Sequence, residues 1–216
     1  MIMKSKGIIF DLDDVICSTD EYHYQAWKTL ADRLGIAFDR ERNNLLRGVS
    51  RMASLEILLG EQSKAYSSSE KKQMAEEKNR LYRQLLSHMS PENLDKEIRT
   101  TLDRIRESGV RMAIGSSSKN TPYILCRIGL ETFFDAVSDG NCITHSKPHP
   151  EVFLKASEML GLSPEECLVV EDAHSGVEAA ASGGFDCAAM GDAKEDRRAK
   201  YHLFRFSDLQ QILQNV

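Results

Sequence analysis

Asp11 and Asp13 stand two residues apart, directly after the apolar run Gly7-Ile8-Ile9-Phe10. In an extended chain, residues two apart face the same side, so both carboxylates leave the strand end together while Leu12 points back toward a core. Like charges this close raise each other's pKa or demand a cation, and Mg²⁺, a hard oxygen-seeking ion, suits them. Alone the pair is weak, because acids after a strand often only cap a helix. Context comes from Ser116-Ser117-Ser118, Lys147-Pro148 and Glu171-Asp172. Hydroxyls and exposed N–H groups after a strand can hold phosphate oxygens, a helix N-terminus adds its dipole, and a lysine adds a point charge. A second pair of acids completes an oxygen cage for a metal. Singly, each reads as turn residues, a surface charge or a helix cap. Together and in this order they point to phosphate chemistry.

Those residues need elements to position them. Gly7–Phe10, Val110–Ile114 and Cys167–Val170 are short apolar runs, each ending in polar residues, the pattern of buried parallel strands. Ligands of open α/β sheets bind at that end. Helical spacing covers Ile98–Ser108, Thr121–Ile128, Pro150–Leu160 and Ser175–Ala181, so strands and helices alternate and predict an α/β chain, its parallel sheet covered on both faces. Thr19 to Pro91 holds no convincing strand. Tyr22, Ala26, Leu30 and Leu34 recur at helical spacing, as do Leu55, Leu58 and Leu59, then Met74, Leu81, Leu85 and Leu86. Ser67-Ser68-Ser69-Glu70 resembles a helix start, and Gly60 to Ser69 reads as a surface loop. The expected organisation is a core from 1–18 and 92–216 with a helical insert at 19–91.

Length and composition fit that plan. With 216 residues the chain is long for one small domain and short for two full ones, and 41% hydrophobic residues suffice for a real core. The charge of −5, with basic residues scattered, argues against nucleic acid or an anionic membrane as the main partner. The five cysteines, Cys17, Cys126, Cys142, Cys167 and Cys187, include no C-x-x-C pair, so free thiols in a reducing cytoplasm are expected. No apolar stretch approaches the length of a signal-peptide core or a membrane span.

Phe10-Asp11-Leu12-Asp13, Ser116, Lys147-Pro148 and Glu171-Asp172, in this order, resemble the four sequential motifs of the haloacid dehalogenase superfamily. Within it the chain is similar to the β-phosphoglucomutase subfamily over nearly its whole length. The more specific matches are Thr19 to Trp27, Gly48-Val49-Ser50-Arg51 with Ser54, and Lys78-Asn79 in the insert, and Ser116 to Asn120 in the core.

The resemblance implies a Rossmann-like α/β core with an inserted all-helical cap domain, and a monomeric, Mg²⁺-dependent enzyme acting on small sugar phosphates. It would interconvert β-D-glucose 1-phosphate and D-glucose 6-phosphate, with glucose 1,6-bisphosphate as intermediate and activator. Asp11 would be the nucleophile that becomes an aspartyl-phosphate, and Asp13 the general acid and base. The Asp11 side chain, the Asp13 carbonyl, Asp172 and Glu171 would hold the metal. Ser116, Ser117 and Lys147 would hold the transferring phosphate. Arg51 on the cap, with Ser118, Lys119 and Asn120, would grip the other one, a role that suits arginine's planar fork. His23 would couple cap closure to Asp13, Trp27 would wall the sugar pocket, and Thr19 would hold Asp13 while the cap is open. Gly48, Val49, Ser54 and Lys78 complete the cap side. Lys78 sits in the charged run Glu76-Glu77-Lys78, where an ordinary solvated lysine is the plain alternative.

Two positions depart from the family pattern. Asp14 stands where the family usually has glycine, and at positive φ it would cost about 1–2 kcal/mol. Leu94-Asp95-Lys96-Glu97 stands where a Pro-Gly pair commonly closes the insert. Both leave open a sugar-phosphate phosphatase, in which water takes the phosphoryl group. Asp14 also accommodates a non-catalytic phosphosugar-binding protein. Cys17, close to the nucleophile in sequence, is a candidate for oxidation sensitivity.

Overall fold

The computed structural model describes residues 5–214, so residues 1–4 and 215–216 of the expected core lie outside the described residues. Six strands form one parallel sheet in the order β3-β2-β1-β4-β5-β6, with β1 (Gly7–Phe10), β2 (Arg111–Gly115), β3 (Ala136–Ser138), β4 (Cys167–Glu171), β5 (Asp186–Ala189) and β6 (Tyr201–His202). Central β1 pairs with β2 through Ile8↔Met112 and with β4 through Ile8↔Leu168. The three strands read from the sequence are therefore neighbours, and their C-terminal ends converge.

Alternation along the strands builds two cores. Ile8, Phe10, Met112, Ile114, Leu168 and Val170 face one side. There they pack with helices α5 (Lys96–Glu107), α6 (Thr121–Arg127) and α9 (Leu209–Gln214). Ile9, Ala113 and Val169 face the other side, against α7 (Glu151–Leu160) and α8 (His174–Ser182). A sheet buried on both faces explains why β1, and β4 as far as Val170, are apolar without alternation.

The insert is helical: α1 (Asp20–Arg33), α2 (Arg40–Asn44), α3 (Arg51–Leu59) and α4 (Ser68–Leu86). Trp27, Leu30, Leu55, Leu58 and Met74 form a third buried cluster inside it. Ser67 starts α4 with a capping box, its hydroxyl accepting from Glu70 N while the Glu70 carboxylate accepts from Ser67 N. The expected loop from Gly60 to Ser69 is instead a 3₁₀ turn over Gly60–Ala65 running into that cap. Short polar residues hid the turn, since no apolar period marks it. Tyr22, Ala26, Leu81, Tyr82, Leu85 and Leu86 pack with the sheet's first core, so the insert is seated on the α/β unit along α1 and α4. At the return from the insert, Pro91–Asn93 forms a 3₁₀ turn, and in Leu94-Asp95-Lys96-Glu97 Asp95 caps α5, accepting from Glu97 N at 2.6 Å.

Candidate active site

The loop after β1 sets two carboxylates into a cleft. Asp11 N donates to Val170 O at 3.0 Å, which continues the β1–β4 ladder one residue past the strand. Leu12 then turns fully into the core, and Asp14 N donates to Cys17 O at 2.8 Å, closing a tight loop. Asp14 sits at φ 58°, the left-handed conformation that favours glycine. Asp13 is pushed up to about 6, mainly by burial, against the pull of the Thr19 hydroxyl, which donates to Asp13 Oδ1.

Lys147 lies beneath, fully buried, with Nζ bonded to both Asp11 Oδ1 and Glu171 Oε1. Burial opposes its charge, but the two carboxylates outweigh that and raise its pKa. The other Glu171 oxygen accepts from Asp172 N at 2.9 Å and Ala173 N at 3.0 Å. That places the carboxylate against α8, where a Cβ on Gly176 would come within 1.9 Å of Glu171 Oε1, so only glycine fits. Asp11, Glu171 and Asp172 offer oxygens all within 4.8 Å of one another. Burial, then the Glu171 and Asp11 charges, push Asp172 up to about 9. Lys147 pairs with two of these buried carboxyl groups and Arg47 comes within 3.8 Å of the third, and a hard divalent cation fits such an oxygen set.

After β2, Ser116 Oγ accepts from Ser118 N at 3.1 Å and Ser118 Oγ from Asn120 N at 3.2 Å, winding the chain into α6. Asn120 reaches the cap, donating to Asn79 Oδ1 at 2.9 Å. Arg51, the first residue of α3, and Lys119 have no ion-pair partner within 4 Å among the described residues, which leaves two cations facing the cleft uncommitted.

The cleft is a cavity of about 440 Å³ between insert and sheet. Every site residue expected from the sequence lines it except Lys147 and Glu171, which lie under its floor. On the cap side, Gly48 and Val49 reach it from the segment between α2 and α3. Ser54 is buried with its hydroxyl directed at Leu46 O, 3.4 Å away, so it holds that segment in place. Lys78 is 2% exposed, far from a solvated lysine: Nζ donates to His23 Nδ1 at 2.9 Å and sits 4.7 Å from the Trp27 ring centre and 4.4 Å from that of Tyr82. Trp27 is buried and lines the cleft. Burial, and then the Lys78 charge, hold the His23 pKa well below its ordinary value.

Arg47, Asp20 and Tyr82 line the cleft without having been singled out. For Tyr82 the available signal was its place one helical turn from Lys78. The cysteines are free, and burial pushes the Cys17 thiol well up, which suppresses the reactive thiolate and counts against oxidation sensitivity there. No described helix is long and apolar enough to cross a membrane.

The model of the haloacid dehalogenase-like hydrolases matches residues 5–184. The chain is 38% identical to a β-phosphoglucomutase of Bacillus subtilis, over 94% of this chain and 91% of that one. It is 30% identical to a phosphorylated carbohydrates phosphatase of Thermotoga maritima, over 84% and 82%. The solved structure of β-phosphoglucomutase from Clostridium difficile superimposes with a TM-score of 0.91 at 33% identity, covering 97% of this chain and 96% of that one. With a family match over most of its length and relatives above 30% identity along nearly all of it, the chain belongs to the haloacid dehalogenase-like hydrolase family, among the enzymes of its β-phosphoglucomutase branch.

Proposed function

We propose that the protein is a Mg²⁺-dependent phosphosugar mutase of the cytoplasm that interconverts β-D-glucose 1-phosphate and D-glucose 6-phosphate. The observation that carries the reading is the pairing, across one cleft, of the Asp11–Lys147–Asp172 floor with the uncommitted cations Arg51 and Lys119 on its rim. A phosphatase needs only the floor, whereas a mutase must hold a bisphosphate by either end.

In this reading Asp11 attacks phosphorus and becomes an aspartyl-phosphate. Asp13, poised near 6, protonates the departing sugar oxygen and takes the proton of the incoming hydroxyl. Ser116, Ser117 and Lys147 hold the transferring phosphate, and Arg51, Ser118, Lys119 and Asn120 hold the other while the sugar reorients as glucose 1,6-bisphosphate. Asp11, the Asp13 carbonyl, Asp172 and Glu171 would hold Mg²⁺, which when bound offsets charge between nucleophile and phosphoryl group. The seated cap keeps water from the phosphoenzyme.

Rapid quenching of the protein with glucose 1,6-bisphosphate and Mg²⁺, followed by peptide mass spectrometry, tests the first step. Phosphate on the Asp11 peptide, absent in Asp11→Asn, is expected. Turnover by a folded Asp11→Asn protein would assign the wrong nucleophile. The phosphatase reading has its own observation in Asp14, a third acid in the loop after β1 that also lines the cleft, and it is separated from the mutase by the product released.

A further inference from the structure

Arg47, on the turn after α2, meets carboxylates from both halves of the molecule. Its guanidinium nitrogens lie 2.7 Å from Asp192, 3.2 Å from Asp20, 3.8 Å from Asp14 and 3.8 Å from Asp172. Asp20 belongs to α1 of the cap and is steadied by Asn43, which donates to its Oδ1 at 2.7 Å. The other three belong to separate core segments: the loop after β1, the end of β4 and the turn after β5. The backbone is seated at the same place, with Ser175 Oγ donating to Arg47 O at 3.2 Å. Gly48 sits at φ 72°, and a Cβ there would come within 2.3 Å of that same Ser175 oxygen, so a larger residue would be strained and would displace the Ser175 hydroxyl.

We propose that Arg47 is a positioning residue that latches the cap onto the core over the carboxylate cluster, with Asp14 and Asp192 as its core-side anchors. The consequence for the phosphoryl group rests on the mutase reading; the latch does not. Arg47 is spent on acids, unlike Arg51, which has no such partner among the described residues and is left for an anion. Asp14 keeps a side chain at a backbone conformation where glycine would be unstrained, and its carboxylate faces the guanidinium. Without the guanidinium, four carboxyl groups would meet across the cap–core seam with no other ion-pair partner within 4 Å among the described residues. Arg47 is about a quarter exposed and Asp192 about half, so salt should weaken the latch.

The test uses the full chain as wild type, Arg47→Ala, Arg47→Lys and Asp192→Asn. Small-angle scattering at low salt should show a compact wild type and an expanded Arg47→Ala, with Arg47→Lys and Asp192→Asn between them. In about 0.5 M NaCl the wild type should move toward the Arg47→Ala curve. Identical low-salt curves for wild type and folded Arg47→Ala would overturn the latch. With β-glucose 1-phosphate and glucose 1,6-bisphosphate, free phosphate released per sugar isomerised should rise about threefold or more in Arg47→Ala, with lysine restoring part of the loss. An unchanged ratio would overturn the claim that the latch excludes water. A wild type that isomerises nothing would sink the mutase reading while scattering still decides the latch. Thermal unfolding of each variant checks folding, and Arg47→Lys keeps the question open to refutation should the alanine variant not fold.

Discussion

Thr19 donates its hydroxyl to Asp13, although Thr19 occupies the N-cap position of α1 and makes no capping bond there. The hydroxyl that would ordinarily satisfy a helix N–H is given to the Asp13 carboxylate instead, and Asp20 and Glu21 in the first turn are left to complement the helix dipole. Thr19→Val removes the bond that draws Asp13 down, so the Asp13 pKa should rise above about 6. The corresponding limb of the pH–rate profile should shift upward with it. Stability should change by only about 1 kcal/mol, since the shape is kept and no cap is lost. An unmoved pH profile would show that Thr19 does not tune Asp13.

Lys147 is the only cation bonded to the buried Asp11 and Glu171 carboxylates among the described residues. Lys147→Met should destabilise the metal-free protein by about 3–5 kcal/mol in urea unfolding, because it strands buried carboxylates rather than merely losing one attraction. Adding Glu171→Gln should return much of that stability without restoring turnover. Equal unfolding midpoints for Lys147→Met and wild type would mean that the pair does not hold the floor together.

His23 links stability to pH. Its folded pKa lies well below the ordinary 6.5, so below 6.5 the unfolded chain binds more protons than the folded one, and stability contributed at this position falls as pH falls. Burial of Asp13 works in the opposite sense between its ordinary 3.8 and about 6, so the informative quantity is a difference. The unfolding free energy of wild type minus that of His23→Gln should decrease below pH 6.5, by at most about 1.4 kcal/mol per pH unit. A difference independent of pH would show that His23 is freely protonated in the folded protein.

The parts of this molecule that were legible before folding are those where side-chain type and strand-end position coincide. β1, β2 and β4 are apolar enough to read as buried strands, and the polar residues at their ends fall where the sheet delivers them. β3 and β6 were not legible, being three and two residues long. Nor was β5, which reads Asp186-Cys187-Ala188-Ala189 and lacks the branched residues that favour strands. In the cap, the pattern of Lys78 as one more charge in an acidic run hid its burial against Trp27, Tyr82 and His23, since which face of a long helix meets another is a tertiary matter. Arg47 was invisible for the same reason: its four partners lie far from it along the chain, and only the seating of the insert brings it to them. Asp14 stood out as a departure, and the fold supplies both its positive φ and the guanidinium facing it.

The central claim is that the phosphoryl group returns to the sugar rather than going to water. Purified protein with Mg²⁺, β-glucose 1-phosphate and a trace of glucose 1,6-bisphosphate tests it when glucose 6-phosphate and free phosphate are followed in parallel. The account predicts steady formation of glucose 6-phosphate with little free phosphate. Rapid free phosphate with little isomerised sugar would contradict it and assign the cleft to a phosphatase, and no turnover of this or a wider panel of sugar phosphates would leave a binding protein.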